Sequence, residues 1–122
     1  MSKSPLEFTR EFARFKSNLT RQPDSEHQLL IMMEFWHTLE DVHQKTEYST
    51  YLEEYIDLLN SVITEQTIYD FTIDELTSLR NILISTKNSK HHRSGNRSDQ
   101  NLKLVTYKLA TLLFYVGDIE TA

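Results

Sequence analysis

The residue types best suited to chemistry occur in the segment EFWHTLEDVH, which contains two Glu-x-x-His pairs, Glu34 with His37 and Glu40 with His43. Helical bundles that bind two iron ions use such pairs as ligands, but they take the pairs from separate helices and add carboxylates from two others. Here both pairs lie in one segment, and their offset rotates them apart by well over half a helical turn. We therefore expect a structural or surface role for these residues and predict no metal site.

Other catalytic patterns are missing from the sequence. There is no cysteine, so thiol nucleophiles, thiolate metal sites and disulfide bonds are excluded. No serine or threonine lies in a glycine-flanked elbow, and no glycine-rich loop is present that would hold a phosphate. The adjacent His91 and His92 lie in a polar segment, where histidines are more often solvated than bound to metal. The sequence thus predicts a protein that is not an enzyme and has no catalytic residue, metal or cofactor.

Length and composition indicate one domain. The 122 residues, 39% of them hydrophobic, fit a single globular unit with a modest core. No apolar run approaches the roughly 20 residues that span a bilayer, and the start, MSKSPLEFTREF, lacks the apolar core of a secretory signal. We expect one cytoplasmic domain over residues 1–122 with no membrane contact.

Helices are predicted throughout, because only two glycines and two prolines occur and no segment alternates between apolar and polar residues. The first helix has Ser4 as its N-cap, Pro5 in its first position and Glu7 completing a capping box. It ends near Arg21, before Pro23. Its apolar residues are spaced by four, three and four, which predicts one buried stripe made of Phe8, Phe12, Phe15 and Leu19.

The second helix is predicted from about residue 25 to 45, with Ser25 and Gln28 as a capping box. Its apolar residues cover more than one face, which predicts a central helix packed on two sides. These residues are Leu29, Leu30, Ile31, Met32, Met33, Phe35, Trp36, Leu39 and Val42. The third helix, over about 47–66, carries a ladder of tyrosines whose helical spacing favours core packing over stacking on nucleic-acid bases: Tyr48, Tyr51 and Tyr55.

The clearest start signal belongs to the fourth helix, where Thr72 and Glu75 form a capping box and Phe71 and Leu76 a hydrophobic staple. This helix is predicted to end near Thr86. A fifth helix is expected to open around Ser98 or Asp99, to stop at Gly117 and to bury Leu102, Val105, Leu109, Leu112, Leu113 and Val116. The predicted fold is all-α, a compact bundle of about five helices with one long basic polar loop, about 87–98, before the last helix.

Charge is divided into blocks along a chain whose net charge is -5. Residues 1–21 hold five bases and two acids, residues 24–75 one base and thirteen acids, and residues 80–108 seven bases and one acid. One interpretation is that the basic blocks pair with the acidic middle inside the folded monomer. This explains the polar loop poorly, because the loop has no apolar residue to hold it against the acidic helices.

The leading hypothesis is that the basic loop and the first helix contact nucleic-acid phosphates, which Lys and Arg bind without regard to sequence. The predicted contact residues are Lys87, Lys90, Arg93, Arg97 and Lys103, with support from Arg10 and Arg14. The acidic middle would then face a basic partner protein, as in a subunit of a larger protein assembly on single-stranded RNA or DNA.

In size and helical make-up the chain resembles the helical small subunits of CRISPR effector complexes, which line a guide and target channel without cutting. The resemblance is to a type of protein, without a motif specific to that family, and it assigns no residue. It implies a non-catalytic, RNA-binding subunit of a complex in antiviral defence.

Two alternatives belong to other classes. The first is a regulator of the immunity-protein, antitoxin or phage-inhibitor type, whose acidic surface covers a basic site on its target protein by phosphate mimicry. Its contact residues would be Glu53, Glu54, Asp57, Asp70, Asp74 and Glu75. The second is a self-associating protein, because apolar area around Trp36 would exceed what a small monomer covers, with contributions from Met32, Met33 and Phe35.

Overall fold

Five α-helices make up most of the residues that the computed structural model describes, which are 5–41, 48–87 and 96–121. The helices are α1 (Pro5–Thr20), α2 (Ser25–Glu40), α3 (Ser49–Val62), α4 (Ile73–Lys87) and α5 (Asn96–Thr121). No strand occurs within the described ranges. The all-α prediction is therefore confirmed.

The predicted start of α1 at Pro5 and the start signals of α4 are confirmed. The predicted N-cap of α1, Ser4, lies outside the described residues, so its capping box with Glu7 stays a prediction. At α4 the Thr72 hydroxyl accepts a hydrogen bond from the Glu75 backbone N–H at 3.1 Å, and the Glu75 carboxylate accepts one from the Thr72 N–H at 2.9 Å. This is a complete capping box, and both residues of the predicted staple beside it, Phe71 and Leu76, are buried.

Helix α2 begins at Ser25 as predicted, but its predicted N-cap is wrong by one residue. Asp24, not Ser25, is the N-cap, and its carboxylate accepts a hydrogen bond from the His27 backbone N–H at 2.9 Å. A carboxylate at this position also compensates the positive end of the helix dipole, which a serine hydroxyl does less well. Helix α2 ends at Glu40 with Asp41 as its C-cap, and residues 42–45 of its predicted span lie outside the described part of the chain.

Two predicted helix ends also differ. Helix α3 stops at Val62 instead of residue 66, because Thr64 and Thr67 exchange side-chain and backbone hydrogen bonds that close a turn there. Helix α5 begins at Asn96 and continues through Gly117 to Thr121. The prediction that Gly117 stops it is wrong, since a glycine weakens a helix by about 1 kcal/mol without forcing it to end.

Aromatic packing fixes α1 against α2 and α3. The whole predicted stripe of α1 is buried: Phe8, Phe12, Phe15 and Leu19. The Phe8 ring lies 4.9 Å from Tyr48 and 5.0 Å from Tyr51 of α3, measured between centroids, and Phe15 stacks on Phe35 of α2 at 4.2 Å. Because these contacts bury the phenylalanine stripe, the opposite face of α1 points to solvent.

Helix α2 is the central helix, as its wide apolar surface predicts. Four of its apolar residues are buried and four more pack partly buried against the core: Leu29, Met32, Trp36 and Leu39, then Leu30, Ile31, Met33 and Phe35. Tyr55 of α3 is fully buried and donates its hydroxyl proton to the Met32 carbonyl oxygen at 2.6 Å. Burial raises the pKa of Tyr55, so the phenol stays neutral and remains a donor.

Helices α4 and α5 form an antiparallel pair. The Arg80 side chain donates to the Thr106 hydroxyl at 3.2 Å, and the Lys87 ammonium lies 3.0 Å from the Asp99 carboxylate. Arg80 and Lys87 are seven residues apart in α4, and their partners Thr106 and Asp99 are seven residues apart in the reverse direction in α5. These contacts set the register of the second half of α4 against α5.

A buried polar network attaches α5 to α3. The Asn60 side-chain amide donates to the Ser98 hydroxyl at 2.9 Å and to the Ile56 carbonyl at 2.9 Å. Its oxygen accepts from the Asn101 amide at 2.8 Å, and that amide also lies 3.2 Å from the Asn60 carbonyl oxygen. Asn60, Ser98 and Asn101 are all buried. Buried polar groups are tolerated only when hydrogen-bonded, so this network holds α5 in one position on α3.

We predict that Asn101→Ala destabilises the protein by about 1–3 kcal/mol, because the Asn60 side-chain oxygen would lose its donor in a buried site. Urea unfolding followed by circular dichroism measures the change. Gln100→Ala, at an exposed neighbouring position of the same helix, is the matched control and should change the free energy of unfolding by less than about 0.5 kcal/mol. Equal effects of both substitutions would show that the network does not hold α5.

Candidate functional site

Three arginines lie on the exposed side of α1. Arg10 and Arg14 are one turn apart and exposed, and Arg21, directly after the helix, is exposed as well. Their spacing of four and seven residues repeats the helical turn, so they form one stripe on the face opposite the buried phenylalanines. Within residues 5–41, 48–87 and 96–121, none of the three forms an ion pair. We call Arg10, Arg14 and Arg21 the arginine stripe.

A groove of about 610 Å³ lies between α1 and α2, next to the arginine stripe. Arg14 and Arg21 contribute to its lining, as do the carboxylates of Glu11 and Glu34. The remaining lining residues are Phe15, Ser17, Asn18, Ile31, Phe35 and Thr38. The groove therefore combines both signs of charge, and two residues of the arginine stripe belong to its lining.

Lys16 is used inside the molecule. Its ammonium donates to the Glu54 carboxylate of α3 at 3.2 Å and lies 5.3 Å from the centre of the Phe12 ring. This pair is the point where the basic first block and the acidic middle block of the sequence neutralise each other. The interpretation that the blocks pair within the monomer therefore holds for Lys16, but it does not hold for the arginine stripe.

The structure describes only some of the cations predicted near the polar loop. Lys87 at the end of α4 forms an ion-pair contact with Asp99 that lacks hydrogen-bond alignment, whereas Lys103 is exposed and forms no ion pair in the described ranges. Lys90 and Arg93, like the two adjacent histidines, lie outside the described residues, and Arg97 is described only by its backbone in α5.

The two basic regions lie on opposite flanks of α2. Ile31, Phe35 and Thr38 line the groove towards α1, while residues half a turn away on the same helix line a second groove of about 450 Å³ towards α4: Leu30, Met33, Trp36, His37 and Glu40. The arginine stripe thus lies on the α1 side of α2, whereas Lys87 belongs to the helix on the other side. The expectation of a single continuous footprint stays a prediction.

Three of the six predicted acidic contact residues lie on the outer face of α3. Glu53, Glu54 and Asp57 are exposed, and Glu54 is the one that binds Lys16. Trp36 is different, because only 5% of it is exposed and it lies in the core beside Tyr55. The expectation that Trp36 offers apolar area to a partner is wrong, since α3 and α4 already cover that side of α2.

The tyrosine ladder of α3 packs inside the bundle, as predicted. Tyr48 and Tyr55 are buried, and Tyr51 is half-buried with its hydroxyl against Thr9 of α1. Among the described side chains, the aromatic ones with high exposure are others: Tyr69, Tyr107 and Phe114. Lys108 lies 5.0 Å from the ring centre of Tyr69, which is a cation–π contact at the surface.

The described residues contain no group of three or more histidines and carboxylates arranged to hold a metal ion. His37 is exposed, and His43, its counterpart in the second Glu-x-x-His pair, lies outside the described ranges. Among the helices described, none combines the length and the apolar character needed to cross a bilayer.

Comparison with protein-family models, with curated proteins and with solved structures finds no match to this chain. Its function is therefore argued from the charge and exposure of its own residues. Arg21 is the site residue that sequence reasoning missed, although the spacing of seven residues from Arg14 placed both on one helix face.

Beside Arg21, the turn into α2 contains a coupled acid and base. The Asp24 carboxylate lies 2.7 Å from the His27 ring Nδ1. Hydrogen bonds from the His27 backbone and side chain lower the pKa of Asp24, and the hydrogen bond and charge of Asp24 raise the pKa of His27. The pair therefore stabilises α2 most between the ordinary pKa values of the two groups, 3.8 and 6.5. Stability falls as pH drops through the lowered pKa of Asp24 and as pH rises through the raised pKa of His27.

We predict that Asp24→Asn returns the pKa of His27 towards 6.5, its ordinary value, because the amide carries no charge to hold the imidazolium. An NMR titration of the His27 ring protons measures this. Glu34→Gln, farther along the same helix, should leave the titration of His27 where it is in the parent protein. An unchanged His27 pKa in Asp24→Asn would contradict the pairing.

Proposed function

We propose that this chain is a non-catalytic helical subunit of a larger nucleoprotein assembly and that it binds the phosphates of single-stranded RNA or DNA through the arginine stripe of α1. The observation that carries the proposal is that Arg10, Arg14 and Arg21 share one exposed face without an ion pair in the described part of the chain. Guanidinium groups present forked donors that match phosphate geometry and remain charged at any physiological pH.

The binding we propose is electrostatic and independent of sequence. Contact with phosphates releases counterions, so affinity falls as salt rises. The aromatic side chains of α1 are buried, which leaves that surface without rings on which bases could stack. The stripe therefore suits a polyanion held by its backbone.

The net charge of -5 does not exclude this role, because a contacting phosphate responds to the charges near it more than to the net charge. The acidic residues of α3 meet the basic helix at Lys16, which Glu54 neutralises. The arginine stripe lies on the other side of α1, away from the buried stripe that faces α3. The basic segment that includes Lys87, Lys90, Arg93, Arg97 and Lys103 would supply a second contact, on the α4 and α5 flank.

Replacing all three arginines of the stripe by alanine should weaken binding of a fluorescent single-stranded RNA or DNA strongly at low salt. Single strands release about 0.7 counterions per neutralised phosphate, so the slope of log affinity against log salt should flatten by about 2. Fluorescence anisotropy over a salt series gives both quantities. Lys16→Ala is the matched control, because this base on the same helix is already paired with Glu54.

A parent protein that binds neither strand, alone or within its purified assembly, would refute the proposal. Binding that falls in the Lys16→Ala control as much as in the triple variant would refute the role of the stripe. A quadruple variant, with Lys87, Lys90, Arg93 and Arg97 changed to alanine, tests the second flank. Its loss of affinity should add to that of the triple variant, since the two regions lie apart.

A second candidate function is that of an acidic regulator of a basic partner protein. The observation that favours it is the outer face of α3, where Glu53 and Asp57 lie one turn apart, are exposed and form no ion pair in the described ranges. Two carboxylates at this spacing present the charge pattern of consecutive phosphates to a cationic site.

If this second function is correct, Glu53→Lys with Asp57→Lys abolishes capture of one stoichiometric protein partner from extracts of the host, while the arginine-stripe variant still captures it. Affinity purification with nuclease treatment, followed by mass spectrometry, distinguishes capture of a protein through the acidic face from capture through bound nucleic acid. Recovery of the same partner by the charge-reversed variant would exclude the acidic face as the contact.

A further inference from the structure

The groove between α1 and α2 has an apolar floor and a charged rim. Phe15 of α1 stacks on Phe35 of α2, with ring centroids 4.2 Å apart and 9° between the ring planes. Arg14 and Glu34, each one residue before a phenylalanine of this pair, are exposed and line the same groove. Successive residues of a helix are rotated by about 100°, so the phenylalanines pack inward while the charged residues before them reach the rim.

The charged groups of the rim are open to a ligand. The side chains of Arg14, Arg21 and Glu34 form neither an ion pair nor a hydrogen bond within residues 5–41, 48–87 and 96–121. Glu11, which also lines the groove, already has an interaction partner. The groove volume of about 610 Å³ lies within the range of small-molecule sites in proteins. The groove therefore offers cations, a carboxylate and an apolar surface to one ligand.

We infer that this groove holds one base of the bound strand and favours a base that carries an exocyclic amino group. The inference rests on the proposed function, because Arg14 and Arg21 bind the phosphates next to that base. The half-buried Phe35 and Ile31 contact the base through their apolar surface. The Glu34 carboxylate accepts a hydrogen bond from the amino group.

A carboxylate distinguishes bases because it accepts hydrogen bonds and donates none. Cytosine, adenine and guanine each carry an amino group that can donate to it, as in known contacts of Glu and Asp with cytosine. Uracil and thymine have a ring N–H instead, flanked by two carbonyl oxygens that repel a carboxylate. In a single strand these base edges are free to be contacted. The arginine stripe thus contributes affinity without regard to sequence, and the groove adds a dependence on the base.

The second groove, between α2 and α4, is less suited to a nucleotide. Its lining includes His37 but neither a lysine nor an arginine that could hold a phosphate. Glu34 reaches its rim as well, and Glu40 there already has an interaction partner.

The exposed apolar residues of α5 offer no comparable site. Leu113 is 50% exposed, so the prediction that it is buried is wrong. Helix α4, with 15 residues against 26 in α5, covers only part of that helix. Phe114 already has an interaction partner, and Lys108 is engaged by the Tyr69 ring.

Binding of two single-stranded oligonucleotides of equal length, all cytidine or all uridine and each in RNA and DNA form, tests the inference by fluorescence anisotropy at neutral pH. The two bases have the same size and differ where cytosine carries its amino group and uracil a carbonyl oxygen. We expect the cytidine strand to bind about fivefold more tightly, the lower end for a specific base contact, because the rim of the groove is exposed. The ratio should persist as salt rises, since both strands lose the same phosphate contribution.

Glu34→Gln should bring the ratio of the two affinities close to one, because an amide both accepts and donates hydrogen bonds and can serve either base. Glu65→Gln is the matched control. It removes the same charge from an exposed residue outside the groove, so the preference for cytidine should remain. Neither substitution should change the slope of log affinity against log salt, which depends on the arginine stripe.

Equal affinity of the parent protein for the two strands, or tighter binding of the uridine strand, overturns the inference and leaves the proposed function standing. A preference for cytidine that persists unchanged in Glu34→Gln overturns it as well, as does one that is lost equally in Glu65→Gln. Binding of neither strand in either form refutes the proposed function, and the inference falls with it.

Discussion

The hydrogen bond from the buried Tyr55 hydroxyl to the Met32 carbonyl oxygen, 2.6 Å long, is the contact on which the arrangement of the first three helices depends. Leaving this buried phenol without a hydrogen-bond partner would cost about 1–3 kcal/mol of folding free energy. The bond therefore fixes the level at which α3 packs on α2. The same ring lies beside Phe15, Phe35 and Trp36. Because α1 packs its phenylalanines onto this cluster, its rotation is fixed, and the arginine stripe faces outward.

The second half of the bundle is positioned by polar contacts as well as apolar ones. Asn60 and Asn101 hydrogen-bond each other inside the core, and Ser98 completes the set at the start of α5. A hydrophobic contact would tolerate sliding of α5 by a residue, whereas directional amide bonds favour one register. Helix α5 has 26 residues and α4 has 15, so part of α5 extends beyond its neighbour.

The sequence was sufficient to predict what local periodicity and capping determine. The buried stripe of α1, the central position of α2 and the capping box at Thr72 follow from spacings of three and four residues and from one hydroxyl paired with one carboxylate. The cap of α2 was misassigned because Asp24 and Ser25 are adjacent and both are good N-caps. The exposure of Leu113 and the burial of Trp36 depend on where neighbouring helices end and pack, which no pattern within one helix contains.

Folding places the charge blocks of the sequence on different surfaces of the protein. Helix α2 separates α1 from α4, so the first and third charge blocks, which have the same sign, come to lie on different flanks. Lys16 with Glu54 joins the basic first block to the acidic middle, whereas Lys87 and Asp99 both belong to the third block. Among the described residues, the exposed lysines and arginines without an ion pair are the arginine stripe and Lys103. An acidic protein can therefore retain exposed cations, because the described ion pairs of lysine and arginine occupy one base in each basic block.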